Sequence, residues 1–102
     1  MLYRFITLFL FSLTGMSMTI IDVRTESEWN TGHLEGALHI EWQDILNISS
    51  DINKDEEIFL YCRSGNRSGK ATKILLDAGY VNAKNAGSID NASELLNIKI
   101  IN

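Results

Sequence analysis

Apolar positions along the chain fall into two alternating rhythms. Short apolar runs of strand length, TIIDV at 19–23, GALHI at 36–40 and EIFLY at 57–61, alternate with segments of helical spacing. ESEWNTG follows the first run and predicts a short helix that Gly32 ends. EWQDILNI, 41–48, places Trp42, Ile45, Leu46 and Ile48 on one helical face. SSDINKDEE is polar and charged and reads as a solvated loop. Over 68–78, Ala71, Ile74, Leu75 and Ala78 recur at i, i+3, i+4 and i+7, and Gly79 supplies the stop. YVNAKN predicts a further strand, NASELLN a last short helix capped by Asn91 or Ser93, and IKII a terminal extended piece. Strands alternating with helices predict an α/β layer fold with a mainly parallel sheet flanked by short helices. In such sheets ligands sit beyond the carboxyl ends of the strands.

The first residues follow a different pattern. Arg4 precedes an apolar run at 5–13, and the small residues Gly15 and Ser17 then stand at −3 and −1 of a cut after Ser17. That order predicts a cleaved signal peptide over 1–17, a folded domain over 18–102, and a periplasmic or otherwise exported protein. A membrane span wants about 20 apolar residues, more than twice this run. The alternative is an uncleaved membrane tether. No cysteine follows the run, so a lipid-modified anchor is not expected.

Composition narrows the picture further. A length of 102 residues suits one domain, and a net charge of −4 opposes a nucleic-acid surface. Proline is absent, so turns rest on Gly, Asn, Asp and Ser. One cysteine cannot form an internal disulfide, so the fold must hold by packing, and the thiol is either filler or chemistry. His33 and His39 lack a carboxylate or cysteine at ligand spacing, and no metal is expected there. Trp29 and Trp42 read as core or partial cover over it.

Cys62 ends the EIFLY run and is followed by RSGNRSGK. A thiolate, not a thiol, is the nucleophile, and it needs a lowered pKa. A helix starting near Ser68 would point its unpaired N–H groups and positive dipole end back at Cys62. Arg63, Arg67 and Lys70 add positive charge, with no acid nearby in the sequence. Ser64, Gly65 and Asn66 let the backbone curl into an anion-binding nest, with Gly65 the place where positive φ costs least. Thiolate activation and anion binding thus come from one turn. A buried, inert cysteine would leave the two arginines and the glycine without a reason.

These residues carry a resemblance. CRSGNRSG resembles the active-site loop of rhodanese-type sulfurtransferases, and IDVRTESEWNTGHLEGALHI resembles their Asp-Val-Arg and Gly-His-Ile-x-Gly-Ala signature. VNAKNAGSID looks like the Gly-Gly turn before their last helix, with Ser88 where a second glycine is common. Glu35 stands where the family often has proline. The small size and the exported look resemble the single-domain periplasmic rhodaneses of the phage-shock type. The resemblance implies a rhodanese-like three-layer fold and a thiosulfate sulfurtransferase needing no cofactor. In it Cys62 would take sulfane sulfur as a persulfide and pass it to cyanide or a thiol. It implies that Arg63, Ser64, Gly65, Asn66, Arg67 and Ser68 bind the donor, with Arg63 and Arg67 on its oxygens. Asp22, Arg24 and His33 would hold the scaffold, with Arg24 and Glu28 a candidate pair. A monomer is expected.

Three rivals remain. Cys-Arg phosphatases and arsenate reductases of the related fold have five residues between Cys and Arg, whereas only four separate Cys62 from Arg67. A persulfide carrier or sensing module would use the same loop without turnover. A 3-mercaptopyruvate user would carry one carboxylate, and two arginines favour a dianion instead.

Overall fold

A computed structural model describes residues 17–102, so the expected leader at 1–17 lies, apart from Ser17, outside the described residues. The elements run β1 (Met18–Asp22), α1 (Glu26–Trp29), β2 (His33–Leu34), β3 (Leu38–His39), a 3-10 helix (Trp42–Asn47), β4 (Glu57–Cys62), α2 (Asn66–Asp77), β5 (Ala83–Ser88), α3 (Ile89–Leu96) and β6 (Ile100–Ile101). Four strands form a parallel sheet in the order β3-β1-β4-β5, and β2 pairs antiparallel with β6.

Side chains alternate across β4 and divide the interior in two. Ile58, Leu60 and Cys62 join Ile21, Val23, Ile45, Ala71 and Leu75 in the larger cluster, beneath α2 and the 3-10 helix. Tyr61, from the opposite face, joins Ile20, Leu34, Ala86 and Ala92, the last on α3. Each fully buried Ile or Leu contributes about 1.5–3 kcal/mol. The result is the expected three-layer α/β arrangement, with Cys62 at the carboxyl end of a central strand.

Several local expectations need correction. The segment after Glu41 is a 3-10 helix, not an α-helix. Its three-residue turn puts Ile45 and Ile48 on the buried side and leaves Leu46 62% exposed. α2 begins at Asn66, two residues before Ser68, because Gly65 in the left-handed conformation caps it without any side chain. α3 begins at Ile89 with Ser88 as its cap, its hydroxyl accepting from the Asn91 N–H, so neither Asn91 nor Ser93 holds that place. The terminal extended piece is Ile100–Ile101, which closes onto β2.

One irregularity shapes the site. β5 pairs Asn85 with Leu60 and Gly87 with Tyr61, leaving Ala86 as an extra residue, a bulge. The bulge brings Gly87 against Gly65. A Cβ on Gly65, at φ +93°, would lie 3.3 Å from the Gly87 Cα, so this approach requires glycine.

Candidate active site

Cys62 closes β4 and is fully buried. The backbone then turns through Gly65 into α2, which aims its first N–H groups, unpaired within the helix, toward the sulfur. Gly65 N–H donates to Sγ at 3.0 Å and Ser68 N–H at 3.4 Å, and the Ser68 hydroxyl lies 3.3 Å away. Burial pushes the Cys62 thiol up. The Ser68 hydroxyl, together with the backbone donors of Ser68, Ser64 and Gly65, outweighs burial, and the net displacement is down. Arg63, Ser64 and Asn66 stand exposed on the loop.

The loop is fastened by a residue the sequence reading did not single out. Asn85 donates from Nδ2 to the Gly65 carbonyl at 3.0 Å. Its Oδ1 accepts from the Ser68 hydroxyl at 2.7 Å and from Gly87 N–H at 2.9 Å. One amide therefore ties the middle and the end of the turn to β5. The available signal was a polar residue at the end of a predicted strand, followed by the small residues Ala86, Gly87 and Ser88.

Glu28 has an unforeseen partner. Arg67 donates from Nη1 and Nη2 to the two Glu28 carboxylate oxygens at 2.7 and 2.9 Å, so an acid does stand beside the loop, brought from α1. The Arg67 hydrogen bonds draw the Glu28 carboxyl down to about 2, against partial burial and with help from Thr25. Thr25 and Glu28 form a capping box at the start of α1, and Thr-x-x-Glu in the sequence was the clue. This also corrects the expected Arg24–Glu28 pair. Arg24 instead grips buried Asp22, with Nη2 2.7 Å from Oδ2 and Nε 3.0 Å from Oδ1, because it follows two residues after Asp22, just past the end of β1. Burial lowers the Arg24 pKa, yet Asp22 more than restores it.

His33 supports the scaffold by donating from Nδ1 to the Trp29 carbonyl at 3.1 Å and stacking on the Trp29 ring at 3.5 Å. His39 stacks on the same ring from farther away. Lys70 lies over the Trp42 ring, 5.1 Å from its centre. An open hollow of about 420 Å³ beside the loop is lined by Arg24, Ser27, Glu28, Thr31 and Arg63. A thiol eased toward ionisation, with donors converging on it and a cation at the neighbouring hollow, can attack an electrophilic sulfur and hold the product.

Comparison with known proteins decides the family: residues 12–93 match the Rhodanese-like domain. The chain belongs to the rhodanese-like family. The rhodanese domain is 32% identical over 71 residues to the thiosulfate sulfurtransferase PspE of Escherichia coli (strain K12), covering 68% of each chain. It is 32% identical over 87 residues to the adenylyltransferase and sulfurtransferase UBA4 of Lodderomyces elongisporus, covering 74% of this chain but 19% of that longer protein. The rhodanese domain thus spans about a fifth of that curated relative. A solved structure described as a rhodanese with anions from E. coli superposes with a TM-score of 0.70 at 30% identity, covering 74% of this chain and 91% of that one. The fold is the rhodanese fold, and the family includes sulfurtransferases and sulfur carriers.

Proposed function

We propose that this protein is a thiosulfate sulfurtransferase working through a persulfide on Cys62. The Cys62 thiolate attacks the outer sulfur of thiosulfate. A Cys–S–S bond forms, the sulfur–sulfur bond of the donor breaks, and sulfite leaves with the electron pair. Cyanide or a thiolate then attacks the terminal sulfur, forming thiocyanate or a new persulfide and returning the Cys62 thiolate. N–H groups of the turn and of the start of α2 hold the added sulfur, while Arg63 meets the donor's oxygens. The observation that carries this reading is the convergence of the Gly65 and Ser68 N–H groups on a sulfur already displaced toward ionisation.

Intact mass after thiosulfate exposure tests it. One added sulfur atom, removed by cyanide and absent in Cys62→Ser, is expected. An unchanged mass in the wild type would refute the reading. Turnover well beyond one equivalent separates an enzyme from a carrier. We further propose that 1–17 directs export, so the exported protein should begin at Met18; a full-length mass would mean a retained tether.

A further inference from the structure

The two arginines beside the nucleophile are treated differently by the fold. The Arg67 guanidinium is engaged at both its terminal nitrogens by Glu28, and its side chain is only 27% exposed. Glu28 cannot swing away freely, because its Oε1 also accepts from Thr25 N–H and from the Thr25 hydroxyl, each at 3.0 Å. Arg63, by contrast, is exposed, pairs with no carboxylate among the described residues and lines the hollow. At a distance, a cation with a carboxylate on it acts as a dipole, whose field falls faster than that of a bare charge.

We propose that Glu28 is a specificity-determining residue. By pairing with Arg67 it withholds that guanidinium's charge from the sulfur and from an anionic donor, leaving Arg63 as the cation at the hollow without a carboxylate partner among the described residues. For the donor step this rests on the sulfurtransferase reading above; for the field at the thiol it does not. The site is therefore moderated: it favours small anionic reagents over neutral ones less than two open arginines would. Glu28 raises the guanidinium's pKa most, and the nearby Cys62 sulfur raises it further.

Alkylation of the single cysteine provides a readout independent of turnover. Rate constants for iodoacetate, an anion, and iodoacetamide, its neutral analogue, are measured across the thiol's titration. The variants are Glu28→Gln, Arg63→Ala and the double variant Glu28→Gln/Arg67→Gln. Glu28→Gln should raise the iodoacetate-to-iodoacetamide ratio about three- to tenfold and move the titration midpoint down. Arg63→Ala should lower the ratio by a similar factor, and the double variant should return it to within about twofold of wild type. The gain should shrink as salt is added. In parallel, the KM for thiosulfate should fall in Glu28→Gln with a smaller change in kcat.

A folded Glu28→Gln protein with unchanged ratio and midpoint would overturn the proposal, as would a double variant that keeps the raised ratio. Should Glu28→Gln not fold, Arg67→Gln decides. It leaves the Glu28 carboxylate uncompensated, so the ratio must drop about threefold or more, and no drop overturns the idea. A shifted ratio in a protein that never accepts sulfur would support this role for Glu28 and refute the sulfurtransferase reading; turnover with an unmoved ratio would do the reverse.

Discussion

Alanine at position 85 should cost more stability than a surface residue normally does. Asn85 is exposed, yet its amide makes three hydrogen bonds, to Gly65, Ser68 and Gly87. At a net 0.5–1.5 kcal/mol each, their loss would total roughly 1.5–4.5 kcal/mol. Water can reach part of the vacated site, so the expected cost lies in the lower half, about 2 kcal/mol. For a domain of this size that lowers Tm by roughly 8–16 °C. Urea denaturation followed by circular dichroism measures it, with an unchanged slope required for the comparison to hold. Asn85→Asp isolates the donor: it keeps an acceptor for the Ser68 hydroxyl and Gly87 N–H and loses only the bond to the Gly65 carbonyl. A midpoint for Asn85→Ala within about 0.5 kcal/mol of wild type would refute the view that this amide fastens the loop.

The other expectations concern charge and the thiol. Arg24→Met would leave buried Asp22 unpaired and should cost about 3–5 kcal/mol in urea denaturation, while Asp22→Asn in the same chain should recover much of it. The Glu28 carboxyl is held at about 2 rather than 4.5, so its pair with Arg67 stabilises fully above pH 4.5 and is lost as pH falls through 2. The stability gap between wild type and Glu28→Gln, roughly 1–2 kcal/mol after solvent screening, should close across that acid window. Cys62 alkylation should titrate below the free-thiol value of about 8.5. Ser68→Ala should move that midpoint up, since the hydroxyl is the largest of the contributions that lower it.

What could be read from the sequence was what the chain keeps contiguous. Cys62 through Ser68 are contiguous, and both the cysteine's place at a strand end and the positive φ of Gly65 follow from neighbours alone. Asp22 and Arg24, two residues apart, pair with each other, whereas Glu28, expected on Arg24, pairs with Arg67. Glu28 meets Arg67 across 39 residues, and Asn85 meets Ser68 across 17. Those contacts depend on how α1 and β5 dock, which no local pattern states. The start of α2 was misplaced because a glycine cap has no side chain to announce it. Ile45 and Ile48 fit both a 3.0- and a 3.6-residue turn, so spacing could not choose between the two helix types.

The bulge at Ala86 has a further implication for how this chain tolerates change. A parallel ladder forgives many substitutions, but a lost or gained residue shifts its phase and exchanges the two faces downstream. Deleting Ala86 would barely alter composition. It would nonetheless disturb the offset that presents Asn85 and Gly87 to the turn, so length in this segment should prove less negotiable than spelling.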